Sequence, residues 1–83
     1  SEAFILMRYN QGKGPVIISS ELKRRGIERF DLSNFDWFEL AKEVREKKFG
    51  QNLPLDYKTQ AKQKRFLKSR GFNIDEIHKA FPR

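Results

Sequence analysis

Two six-residue phrases in this chain, LKRRGI at residues 22–27 and LKSRGF at residues 67–72, differ at only two positions and lie 45 residues apart. Each reads as a stop signal for a helix. Glycine takes the left-handed conformation at the first position beyond a helix end without a Cβ penalty. The next residue then packs back on the helix, which pairs Ile27 with Leu22 and Phe72 with Leu67. Lysine and arginine in the last turn suit the negative end of the helix dipole. A pattern that closes two helices in the same way at this separation points to a repeated helical unit of about 45 residues.

The segments around the two phrases fit that frame. Residues 3–9 read as the end of a helix, broken by NQGKGP. Pro15 suits a first helical position, where its missing N–H costs nothing, and starts a helix over residues 15–25 with Ile18 and Leu22 on one face. Residues 28–35 read as a short helix or turn. Trp37, Leu40, Ala41 and Val44 follow the i, i+3, i+4, i+7 spacing of an amphipathic helix that ends near Gly50. QNLPL is a loop, and Asp56 an N-cap for a helix reaching Arg70 that turns Phe66 and Leu67 inward with Tyr57 and Ala61. Asn73 and Glu76 approximate a capping box, opening a short helix that buries Ile74, Ile77 and Phe81 and is stopped by Pro82. Leu32 and Ile77 fall at matching places after the two phrases. The fold class expected is all-α, with tandem three-helix repeats stacked as helical triplets and no sheet. Residues 1–36 form one repeat and residues 37–83 the next.

Charge is unevenly spread. The net charge is +7, which favours an anionic partner. Residues 55–71 carry Lys58, Lys62, Lys64, Arg65, Lys68 and Arg70 against Asp56 alone, five of the seven net positive charges. Lys58, Lys62 and Arg65 share one helical stripe, with Lys64 and Lys68 in the neighbouring row. Lys23, Arg24 and Arg25 make a smaller cluster against Glu21, and Lys13 stands in the first loop. The helix from Trp37 balances four cations with three carboxylates, read as largely i,i+4 partners, and the last helix is slightly acidic. A row of cations along a helix can match phosphates or carboxylates in a salt-dependent way. The same long side chains can also cover apolar surface with their heads in water.

Several functions are excluded or disfavoured. There is no cysteine for a disulfide, a thiolate metal site or a nucleophile. His78 is the single histidine, expected on the surface and without a companion metal ligand. GKGP lacks the ending of a phosphate-binding loop. No catalytic constellation, cofactor or metal is expected, and the chain reads as a non-enzyme. The apolar stretches are too short to span a membrane, and no signal-peptide pattern opens the chain. Residues 65–77 do suggest helix, glycine turn, helix. The second of those helices lacks the arginine, lysine or glutamine row that reads base edges.

Taken together, GKGPVIISSELKRRGI and FGQNLPLDYKTQAKQKRFLKSRGFNIDEI resemble the C-terminal part of the RecX family of bacterial recombination regulators. Gly14, Pro15, Ile18, Glu21, Leu22, Arg25, Gly26 and Ile27 match the segment of one family repeat. Arg65, Phe66, Leu67, Arg70, Gly71 and Phe72 match the segment of the next. The resemblance implies three tandem three-helix units, of which this chain holds about two, the third helix of its first unit being shortened. It implies binding to the RecA–DNA filament, with single-stranded DNA inside it, as a cytoplasmic monomer that inhibits recombinase and coprotease activities. Lys62, Lys64, Arg65, Lys68 and Arg70, with Lys23, Arg24, Arg25, Lys13 and Lys58, are the candidate contacts. A general basic nucleic-acid-binding helical module is the alternative.

Overall fold

Pro15 opens its helix as expected, but no side chain caps that helix. A computed structural model, which describes residues 2–81, shows what replaces the cap. Gly14 donates its N–H to the Arg70 carbonyl at 2.7 Å, and Val16 donates to the Gly71 carbonyl at 2.9 Å. The unpaired amides at this helix start are thus satisfied by the turn that closes another helix 55 residues on in the chain. The two backbones pass so closely that a Cβ on Gly14 would lie 2.4 Å from the Gly71 carbonyl. Glycine is required here for approach rather than for backbone conformation.

The described residues form five helices: α1 (Glu2–Asn10), α2 (Pro15–Arg24), α3 (Trp37–Phe49), α4 (Tyr57–Ser69) and α5 (Ile74–Lys79). No strand occurs among them, so the all-α reading holds. Both LKxRG phrases close their helices with the same pair of bonds. Ile27 N–H reaches Leu22 O at 3.0 Å and Gly26 N–H reaches Lys23 O at 3.0 Å. Phe72 N–H reaches Leu67 O at 3.3 Å and Gly71 N–H reaches Lys68 O at 3.0 Å. Asp56 caps α4 by accepting from Thr59 N at 2.9 Å. The capping box is complete, with Asn73 Oδ1 accepting from Glu76 N and Glu76 Oε1 accepting from Asn73 N, each at 2.9 Å.

Residues 27–36 depart from the expected repeat. They hold no helix, so α1 and α2 are followed by an irregular segment where α3 and α4 are followed by α5. Asp31 folds the chain locally by accepting from both the amide and the hydroxyl of Ser33, at 2.8 and 2.6 Å. The Leu32 carbonyl is taken by the Trp37 indole N–H at 2.7 Å. Phe30, Leu32 and Phe35 still pack on the core from this irregular backbone. Phe35, Trp37 and Tyr9 form a three-ring cluster with centroids 5.0 to 5.4 Å apart.

One continuous core joins both halves, running from Ile5, Ile18 and Leu22 through Trp37, Leu40 and Ala41 to Leu67, Phe72, Ile77, Ala80 and Phe81. The molecule is elongated, 42 × 18 × 18 Å. Two expected core residues are on the surface instead. Ile74 is 70% exposed and Tyr57 is 83% exposed. Each is the first residue of its helix, and the buried stripe begins later. In α4 that stripe runs through Gln63 and Leu67, four apart. Pro82, expected to stop the last helix, lies outside the described residues.

Among the described residues none of the i,i+4 ion pairs expected along α3 is made. Among the described residues the pairs within 4 Å are Arg45–Glu46, at 3.6 Å, and Arg8–Glu21, which joins α1 to α2. Arg8 Nε donates to Glu21 Oε1 at 2.8 Å and Nη2 reaches Oε2. The hydrogen bond from Arg8 and then its charge hold the Glu21 carboxyl below the usual range. Burial pushes the Glu76 carboxyl the other way, against the capping bonds to Asn73. The two therefore act with opposite sign on stability. The Glu21 contribution is present above its ordinary value near 4.5 and is lost as pH falls through the lowered folded value. The Glu76 contribution is complete below 4.5 and is lost as pH rises through the raised folded value. Glu21→Gln is expected to cost about 0.5 kcal/mol at neutral pH, a gap that closes in acid below the carboxylate range. Urea melts of both proteins across pH check this.

Candidate functional site

The longest row of cations is built by α4. Asp56 fixes where the helix starts, and Gln63 and Leu67 fix which face turns inward. Lys58, Lys62, Arg65 and Lys68 are consequently exposed. Among the described residues no carboxylate lies within 4 Å of any of them. The one carboxylate of the helix is committed to its cap. Bonds from the Thr59 amide and hydroxyl hold Asp56 below the usual range. The row's charge is therefore available to an outside anion.

The other candidates separate by environment. Lys64 is half-buried, its Nζ 5.6 Å from the centroid of the buried Phe81 ring. Arg70 belongs to the joint between the two halves. Its Nη2 donates to the Gln11 carbonyl at 2.9 Å, its guanidinium lies 5.9 Å from the Phe66 ring centroid, and its own carbonyl accepts from Gly14. Lys13 is half-buried in the loop at the same joint, its amide donating to Arg8 O at 3.1 Å. Lys23, Arg24 and Arg25 are exposed at the opposite end of α2, about 15 Å of helix from the joint. Arg25 lies over the Phe4 ring at 4.3 Å, and Arg24 reaches Ser20 Oγ at 3.5 Å. The structure thus groups Lys58, Lys62, Arg65 and Lys68 on one helix, gives Lys64 and Arg70 structural neighbours, and leaves the α2 cluster as a separate patch.

Two features carry no signature in helical periodicity. Arg45 is 1% exposed within the α3–α5 bundle, donating from Nε to Ala80 O at 2.8 Å and lying 5.1 Å from the Phe81 ring centroid. It serves the C-terminal end of α5, where a cation is favoured. The loop between α3 and α4 exposes Leu53 and Leu55. Apolar residues between a helix-stopping glycine and a capping aspartate, outside any helical stripe, are the signal that could have found the second. His78 is exposed on α5, and no cluster of metal-ligating side chains occurs among the described residues. Within the same residues no helix is long and apolar enough to cross a membrane.

Fold and surface together define an all-helical basic protein segment whose longest cationic row is exposed on α4. The comparison with known proteins narrows that class. Residues 36–81, which run from the cap of α3 to the end of the bundle, match the family described as RecX, third three-helix domain. The Regulatory protein RecX of Halorhodospira halophila is 36% identical over 86 residues, covering 96% of this chain and 53% of that protein. That of Yersinia pseudotuberculosis is 38% identical over 85 residues, covering 95% of this chain and 47% of its own length. That of Pseudomonas savastanoi is 39% identical over 82 residues, covering 92% and 53%. The chain belongs to the RecX family of regulatory proteins. It spans about half the length of the curated relatives it matches. The relatives' name, regulatory protein, agrees with the reading of the chain as a non-enzyme.

Proposed function

We propose that this chain is a regulator that binds the RecA–DNA filament and restrains its recombinase and coprotease activities in recombination and repair, acting as a monomer in the cytoplasm. In this reading residues 1–36 serve as the second helical unit and residues 37–83 as the third. The observation that carries it is the α4 face. Four exposed cations without carboxylate partners stand on the segment that matches the third RecX domain. An elongated body, 42 Å long, suits a groove in which many weak contacts add up. Lys62, Arg65 and Lys68, with Lys58 beside them, are the principal contacts. Lys23, Arg24 and Arg25 are secondary. Lys13, Lys64 and Arg70 act mainly by shaping the surface.

The test compares binding to a RecA filament with binding to bare single-stranded DNA at one near-physiological salt concentration. Filament-selective binding supports the regulator. Equal and steeply salt-dependent binding to both supports a general nucleic-acid-binding module. The triple variant Lys62→Ala, Arg65→Ala, Lys68→Ala is expected to lose about tenfold to a hundredfold in filament affinity, with a shallower salt dependence. Its helicity should be unchanged, because all three side chains are exposed. Unchanged affinity would reject α4 as the contact.

A further inference from the structure

The loop joining α3 to α4 is more apolar than its position warrants. Gly50 ends α3 with φ +88° and Asp56 caps α4, so the turn is closed without help from the residues between them. Yet Leu53 is 39% exposed, Leu55 is 103% exposed and Tyr57, at the start of α4, is 83% exposed. A leucine that touches nothing adds nothing to the fold. Leu55 and Tyr57, two residues apart and standing in solvent beside the partly covered Leu53, are the kind of apolar exposure that marks an interaction site.

The surroundings restrict what can cover it. Lys47 and Lys48 end α3 on one side of the loop, and Lys58 and Lys62 follow it on α4. All four are exposed, and Asp56 is engaged by Thr59. An apolar tip bracketed by cations requires an apolar seat with an anionic rim. A second copy of the chain is a poor occupant, since a symmetric contact would bring the two sets of lysines together. Nucleic acid supplies the anions, but bases are gripped chiefly by stacking on aromatic faces, and two of the three tips are aliphatic. A protein pocket edged with aspartate and glutamate satisfies both parts.

We propose that the α3–α4 loop is an apolar plug, with Leu55 at its centre, that seats in a hydrophobic, acid-rimmed pocket on a protein partner while Lys47, Lys58 and Lys62 meet the rim. The partner's identity rests on the regulator reading, which makes it the protein of the filament rather than its DNA. The plug supplies a component of affinity that salt does not weaken, and the α4 row supplies the component that it does.

The experiment uses the double variant Leu53→Ser, Leu55→Ser beside the wild type and the α4 triple variant. Each is titrated against RecA filaments and against bare single-stranded DNA over a salt series. The double variant is expected to lose tenfold or more in filament affinity with an unchanged salt slope, unchanged DNA binding and an unchanged melting temperature. Leu55→Met is expected to keep most of the affinity. Undiminished filament binding by the double variant overturns the plug alone. Equal losses on filament and bare DNA overturn it in favour of a wedge between bases. A fall in melting temperature overturns it by making the loop part of the core. A wild type without preference for the filament overturns the regulator reading, and the plug with it.

Discussion

Gly71→Ala is expected to destabilise the protein several times more than Gly26→Ala, although the two glycines close the same phrase. Both have positive φ, +81° at Gly26 and +96° at Gly71. The conformational cost of a Cβ there is common to both, about 1 kcal/mol. The difference lies in what the Cβ meets. At Gly26 nothing lies within 4 Å. At Gly71 it would fall 2.6 Å from Ile17 Cγ1 and 2.8 Å from Ile17 Cβ. Relief requires moving α2 away, and that stretches the bonds from Gly14 and Val16 to the carbonyls of Arg70 and Gly71. Overpacking and the lost bonds bring the expected cost to about 3 kcal/mol. A domain of this size has roughly 5 kcal/mol to lose. Gly26→Ala should therefore lower the melting temperature by about 4–8 °C, while Gly71→Ala removes most of the stability and Gly71→Val unfolds the chain at ordinary temperatures. Thermal melts followed by circular dichroism decide it. Equal shifts for the two alanine variants would show that the joint does not press on Gly71.

The second large effect is expected at Arg45. Arg45→Ala leaves the Ala80 carbonyl without its donor, opens a hole beside Phe81 and removes a cation from the end of α5. Breaking such a buried contact on one side costs about 3 kcal/mol. Arg45→Met keeps the packing of the stem and loses only the polar part, so about half that cost is expected. The measurement is urea unfolding of both variants. Because Arg45 is 1% exposed, whatever remains folded should bind its partner as the wild type does. A loss of affinity larger than the unfolded fraction explains would place Arg45 near the interface and contradict its burial. No loss of stability in the alanine variant would mean that the hydrogen bond to Ala80 carries no weight.

The helix ends were legible because their chemistry is local. Glycine after LKxR, aspartate before Tyr57 and the Asn73–Glu76 pair each satisfy backbone groups within a few residues. The core of α3 was legible for a related reason, since Trp37, Leu40 and Ala41 recur at the helical period. What failed depends on distant partners. Periodicity assigned Tyr57 and Ile74 to the core without regard to their place as first helical residues. It passed over Gln63 and Arg45 because they are polar, although both are buried. For residues 28–35 it left a short helix or a turn open, and the turn is what forms, because a side-chain bond at Asp31 and the Trp37 indole claim the backbone. The candidate site shows the same division. Charge counting found the α4 row, but could not separate Lys62 and Arg65, which face solvent, from Arg70, which binds the Gln11 carbonyl. Helical patterning also made no use of Leu53 and Leu55, since a loop has no period to violate.

At the close approach of Gly14 to Gly71, the bonds from Gly14 and Val16 to the carbonyls of Arg70 and Gly71 are made by backbone alone. Segments locked in this manner keep their relative placement whatever residues decorate the outer faces. Surface chemistry is then free to change while that placement is held, provided that both positions stay without a side chain. The chemistry of the outer faces and the geometry of the joint become separately adjustable traits.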